Sequence, residues 1–190
     1  NKMSKTILFL DTETTGLPKS GDRYPRLVQL SYVVTDEFGK ILVEKDQIIK
    51  PIGFTIPKEA SDFHGITQER AEMEGVDLKE ELLKLEFHLG KVYRTVMHNV
   101  DFDTKIVAGE QTRIGWSQYR LITNQVGLFC TMKNSKDVCK AKNKLGHLKM
   151  PNLAELCAFC GVENKGAHNA LNDVIATKEC YFYLLEKGYF

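Results

Sequence analysis

The triplet Asp11-Thr12-Glu13 follows directly on the apolar run Ile7-Leu8-Phe9-Leu10. Residues two apart on a β-strand project from the same face, so the two carboxylates converge where the strand is expected to end. Such a pair can seat a hard cation or do acid–base work, but acidic residues also commonly close a strand at the solvent boundary. Two further strings carry the same types of group: His98-Asn99-Val100-Asp101-Phe102-Asp103 and His168-Asn169-Ala170-Leu171-Asn172-Asp173.

The string Phe9-Leu10-Asp11-Thr12-Glu13-Thr14-Thr15-Gly16-Leu17 resembles the first motif of the DEDD exonucleases. The second string resembles that family's HNxxFD motif, and the third its HxxxxD motif, continued by Ala176-Thr177. All three occur in the family's order and span essentially the whole chain. The likeness is to the DEDDh branch, the group of the DnaQ-like proofreading subunits and RNase T. It implies an RNase H-like fold and hydrolysis from a free 3′-hydroxyl end that releases nucleoside 5′-monophosphates. It also implies that Asp11, Glu13, Asp103 and Asp173 are the metal carboxylates and His168 the general base. The family's acid stands directly after the phenylalanine, so Phe102-Asp103 sets the assignment and Asp101 takes a variable position facing solvent or substrate. His64-Gly65-Ile66-Thr67 resembles a segment lying beside the substrate's terminal nucleotides. Thr14, Thr15, Gly16, Asn99, Ile66 and Phe102 are accordingly the candidates for substrate contact. Ile66 and Phe102 are read either as a wedge against the last bases or as core residues.

Phosphodiester hydrolysis needs a nucleophilic water and stabilisation of charge on the phosphoryl and departing 3′-oxygens, which two divalent ions about 3.5 to 4 Å apart supply together. Four carboxylates without a Cys or His cluster match magnesium or manganese better than zinc. An imidazole titrates near neutral pH and suits taking a proton from water. Five residues along a continuous helix rotate a side chain by about 500°, leaving His168 and Asp173 some 140° apart. Both can face one site only if His168 lies off the helix, on a mobile loop to which Gly166 lends backbone freedom. His98 and Asn99 are expected to close a strand and order the turn that aims Asp103. His64, His88 and His147 are read as structural.

The elements that must position these groups follow from periodicity. Leu27 to Val34 and Ile41 to Ile49 are β-rich and, with Ile7 to Leu10, form an antiparallel meander. Helical periods cover Pro57 to His64, Thr67 to Glu74 and Leu78 to Leu89. Val92 to Met97 and Gly127 to Met132 read as buried strands, and Thr104 to Arg113, Asn152 to Cys160 and Ala170 to Lys187 as helices. Strands alternating with helices imply parallel pairing in the second half. The expected architecture is α/β: a mixed five-stranded sheet, three antiparallel strands and then parallel ones, with helices on both faces, in one domain over residues 1–190.

Composition narrows the classes of function. With 43% hydrophobic and 27% charged residues the chain is of ordinary globular type, and no apolar run is long enough to cross a membrane. Asn1 to Lys5 lack the layout of a secretory signal, Met3 reads as the initiator, and a cytoplasmic location is expected. Five cysteines fit a reducing compartment. Cys157 and Cys160 share a helical face with Leu153 and Leu156 and are read as core, a zinc site with Cys130 or Cys139 being the alternative. The formal net charge is +1, so nucleic-acid binding would need a local patch. Lys133 to Lys149 holds six lysines against the single acid Asp137 and is read equally as a solvated face or as a track for a phosphate backbone. The expected partners are single-stranded nucleic acid 3′ ends and a DNA polymerase subunit. A chain closing at Phe190, just after the last helix, tilts the expectation toward a free-standing nuclease. The rival reading is a catalytically inactive nucleic-acid-binding or polymerase-scaffold module, which would have no need of His168 together with four acids.

Overall fold

The computed structural model describes residues 5–17 and 24–190. Its sheet has the order β3-β2-β1-β4-β5, with β1 Ile7–Thr14, β2 Leu27–Thr35, β3 Ile41–Ile48, β4 Arg94–Met97 and β5 Leu128–Cys130. β1 pairs antiparallel with β2 and β2 with β3, whereas β1 with β4 and β4 with β5 are parallel. This is the expected RNase H-like arrangement.

The alternation along β1 sends successive residues into two cores. Leu8 and Leu10 pack on one face with Leu82, Leu85 and Leu89 of α3 (Leu78–Leu89) and Ile106 and Val107 of α4 (Val100–Arg113). Ile7 and Phe9 pack on the other face with Val174 and Tyr181 of α8 (Ala170–Glu186). Helices α1 (Lys58–His64) and α2 (Gln68–Glu74) stand beside the sheet around Val28, Ile56 and Ile66. Two short helices, α5 (Thr131–Asn134) and α6 (Lys136–Cys139), precede α7 (Leu153–Cys160), which packs on α8 through Leu156, Cys157, Cys160, Cys180 and Leu184. Cys157 and Cys160 are therefore core residues, as expected. No helix of the described residues is long and apolar enough to cross a membrane.

Three differences from the sequence reading bear on the site. β1 continues through the acids to Thr14, because the nine-residue β2 supplies partners for Asp11 (Ser31) and Glu13 (Gln29). α4 starts four residues early, at Val100, after Asn99 takes a left-handed conformation with φ 80°. β5 is only three residues long, because Thr131 already begins α5.

Candidate active site

β1 is paired with β4 only as far as Phe9↔Val96, but with β2 to its end. Beyond Phe9 it has no strand partner on its β4 side. Here the strand order reverses direction, and α/β sheets form their ligand crevices at the carboxyl ends of strands at such a switch point. Asp11 and Glu13 lie on this stretch and share the face of Ile7 and Phe9, the face that α8 crosses. Asp173, in the first turn of α8, completes a trio whose carboxylate oxygens lie within 4.8 Å of one another. A register shift in the β1–β2 ladder falls between Glu13 and Thr14, a bulge beside the acids of the kind that re-aims side chains.

Asp103 comes from the other face. It sits in the first turn of α4, 2% exposed, and its Oδ1 accepts a hydrogen bond of 2.8 Å from the Thr12 hydroxyl. Thr12 thus points away from its two acidic neighbours and braces the fourth acid. Asp101, two residues earlier and so on the opposite side of the helix, is exposed and paired with Lys133 at 2.5 Å. The two aspartates of the second motif are therefore sorted by burial.

Burial and mutual repulsion define the electrostatics. Burial first, then the Asp103, Asp173 and Glu13 carboxylates, raise Asp11 well above the usual carboxylate range. Burial, with Asp173 and Asp103, pushes Glu13 up to about 8. Burial raises Asp103 to about 7 against the Thr12 hydrogen bonds. Asp173 is raised by burial too, although Asn164 Nδ2, donating at 2.7 Å to its Oδ1, and the His168 amide, donating at 3.2 Å to its Oδ2, oppose the shift. Carboxylates that resist ionisation because they are buried, with repulsion from neighbouring acids added at Asp11, Glu13 and Asp103, are a site that a divalent cation would stabilise, and an all-oxygen set suits a hard ion. Among the described residues, this trio is the group of metal-donor side chains that converges in this way.

His168 lies off α8, as the angular argument requires, with φ +66°. The strained conformation belongs to the histidine itself. Gly166 does not share it; its role is close approach, because a Cβ there would meet Asn172 Nδ2 at 2.6 Å. That amide instead donates to the Gly166 carbonyl at 3.2 Å. The exposed His168 ring rests on Phe63, at the end of α1, with ring centroids 3.9 Å apart. Phe63 was not among the sequence candidates; its place directly before the His64-Gly65-Ile66-Thr67 segment is the only signal that could have drawn attention to it.

The remaining candidates divide. Ile66 is 2% exposed and packed among Val28, Ile56, Ala60 and Ala71, so it presents core and no open face to a base. Phe102 is half-buried against the α3–α4 core, and its amide donates to the Asn99 carbonyl at 3.1 Å. Asn99 contributes that carbonyl and a left-handed turn. The Thr14 hydroxyl is used within its own turn, donating to the Gly16 carbonyl at 2.7 Å. Thr15 ties to Arg26 through both amide and hydroxyl at 3.0 Å. Gly16 is open, and a Cβ there would meet nothing within 4 Å.

Buried polar residues hold the frame. His64 accepts from the Ile66 amide at Nδ1, so its Nε2–H donates to the Thr14 carbonyl at 3.1 Å and fixes the end of β1. His98, held neutral by burial that lowers its pKa to about 4, donates from Nε2 to the Pro151 carbonyl and pairs through Nδ1 with the Thr131 hydroxyl, both at 2.9 Å. Gln29, opposite Glu13, accepts from the Ala170 amide at 3.3 Å and donates to Asp46 at 2.8 Å, which anchors the start of α8 to the sheet.

Comparison with known proteins agrees with this geometry. The RNase_T family profile, described as Exonuclease, matches residues 8–181. The DNA polymerase III subunit epsilon of Aquifex aeolicus (strain VF5) is 29% identical over 192 residues, covering 100% of this chain and 85% of that protein. Among solved structures, exonuclease I from Methylocaldum szegediense aligns with a TM-score of 0.80 at 19% identity, over 96% of this chain and 41% of that one. E. coli exonuclease I in complex with a dA16 oligonucleotide gives 0.77 at 20% identity, over 96% and 41%. The chain thus spans about two-fifths of the length of those structures, and the likeness to them is one of fold.

Proposed function

The chain belongs to the RNase_T exonuclease family, and on that premise we propose that it hydrolyses DNA strands one nucleotide at a time from the 3′ end, with magnesium or manganese, releasing nucleoside 5′-monophosphates. The observation that carries this reading is the convergence of Asp11, Glu13 and Asp173 within 4.8 Å at the switch point of the sheet. Two divalent ions, when bound, supply water activation and neutralise charge on the phosphoryl and departing oxygens. Asp11, Glu13 and Asp173 would hold them, with Asp103, oriented by Thr12, as a fourth ligand. His168 accepts the proton of the attacking water. The strand end would approach on the side of β1 that β4 leaves unpaired beyond Phe9.

The named relatives support the choice of substrate and setting. One named relative is a polymerase III subunit, which favours proofreading beside a polymerase, and another was solved with a dA16 oligonucleotide, which favours a DNA strand as substrate. An inactive binding module would not require four mutually repelling carboxylates together with a histidine.

The test is incubation of the protein with 5′-labelled single-stranded DNA, duplex DNA with a mismatched 3′ end, and RNA, with and without magnesium. A ladder shortening from the 3′ end, lost in excess chelator and blocked by a 3′-phosphate, is expected. Cleavage of a closed single-stranded circle as fast as a linear strand would reassign the protein as an endonuclease.

A further inference from the structure

The mechanism leaves the lysine-rich segment without a role, although the fold places it deliberately. From Lys133 to Lys149, six lysines face one aspartate, a local charge of +5; with +1 for the whole chain, the rest carries −4. The positive charge that a phosphodiester strand would need near four carboxylates is thus concentrated in this segment, against a remainder that is acidic on balance. The segment is also tied to the site at both ends. His98 holds Thr131 through Nδ1 and Pro151 through Nε2. The β1–β4 register runs to Phe9↔Val96, and carried two residues further it sets His98 at the level of Asp11. Lys133 reaches Asp101, two residues from Asp103. Between these anchors the chain forms an exposed arm, closed by the Lys142↔Leu148 bridge and an Asn143 turn whose Oδ1 accepts the Leu145 and His147 amides at 2.9 Å. Lys149 is engaged with Glu155. Among the described residues, no carboxylate pairs with Lys136, Lys140, Lys142 or Lys144, and the last three are exposed. Leu145 and Leu148 beside them are 79% and 50% exposed.

We propose that this arm is a second binding surface, which holds the phosphate backbone of a single-stranded polynucleotide upstream of the 3′ end being cut. It rests on the exonuclease reading for the direction of the strand, but not for the binding itself. Backbone contacts release counterions, and each neutralised phosphate of a single strand contributes about −0.7 to the slope of log K against log salt. Four free lysines thus account for up to about 3 units of slope. A strand too short to reach the arm lacks that part.

The experiment compares wild type with the quadruple variant Lys136→Gln, Lys140→Asn, Lys142→Gln, Lys144→Gln; asparagine is chosen at 140 because that residue has φ 50°. A control variant replaces Lys58, Lys79, Lys84 and Lys91 by Gln and so changes the net charge equally. Binding of fluorescent oligothymidylates of about 4 and 20 nucleotides is measured by anisotropy across a salt series, and cleavage of both is followed alongside. The arm variant should lose the extra affinity and steeper slope of the 20-mer, keep the wild-type rate on the 4-mer, and melt like wild type, while the control retains both. Equal salt slopes for wild type and arm variant, or an equal loss in the control, would overturn the arm. Loss of the long-strand slope in a protein that cleaves neither oligonucleotide would support the arm and refute the exonuclease reading.

Discussion

The imidazole of His168 lies against the phenyl ring of Phe63, centroids 3.9 Å apart and planes inclined by 40°, in a contact between the end of α1 and the loop before α8. An exposed side chain on a left-handed residue has few other restraints. Phe63 therefore sets where the proposed base waits, through the ring and not through the charge. Phe63→Ala should lower kcat by about 10- to 100-fold, the scale of a misplaced catalytic group, with KM and metal affinity little changed. Phe63→Tyr should restore the rate. The double variant with His168→Ala should be no slower than His168→Ala alone; additive losses would show that Phe63 acts on something else.

His168→Asn keeps a residue tolerant of φ +66° and keeps the amide that donates to Asp173, so it removes the imidazole alone. Its single-turnover rate should fall by about 10²- to 10⁴-fold, as for a positioned base. Metal affinity by titration should stay near wild type. A collapse of metal affinity would recast His168 as a support of Asp173.

Asp103 and Asp101 test the sorting by burial. Asp103→Ala should cost orders of magnitude in rate and weaken ion binding, because a buried ligand is lost. Asp101→Ala removes an exposed partner of Lys133 and should change the rate by less than about threefold, in line with the small worth of exposed ion pairs. Thr12→Val should behave as a weaker Asp103 variant, since it deletes the 2.8 Å brace. Reversed effects for the two aspartates would overturn the assignment of the second motif.

The metal-free protein should lose stability as pH rises. Glu13 and Asp103 are pushed up to about 8 and about 7 by burial, whereas the same groups in an unfolded chain titrate near 4. Between those values the folded state holds protons that the unfolded state has released, so the stabilisation is complete below pH about 4 and lost as pH climbs through about 7 to 8. Thermal melts from pH 5 to 8.5 in chelator should show a falling midpoint. Magnesium should flatten or reverse the fall, with its largest effect at the alkaline end. A midpoint rising with pH in chelator would contradict a strained, proton-holding acid cluster.

Much of this site is written in short-range spacing. The period of two along a strand puts Asp11 and Glu13 on one face, whatever else the chain does, and five residues on a helix cannot aim His168 and Asp173 together. Both statements survive in the structure because they depend only on local backbone geometry. The types of the longer elements follow from the same periods, whereas the short helices α5 and α6 do not. Packing decided what periodicity could not reach. Thr12 meets Asp103 across 91 residues only because α4 lies on the far face of β1. Phe63 meets His168 only because α1 ends beside the loop that enters α8. Ile66, which its motif left open between a wedge and a core residue, faces the core because Val28 and Ala71 close over it. His98 clasps both ends of the lysine arm at β4, which turns a run of charge into a surface with a place beside the acids. Such contacts have no signature in a window of ten or twenty residues, because they are set by how layers of the sheet and its helices stack and not by any preference of the residues that make them.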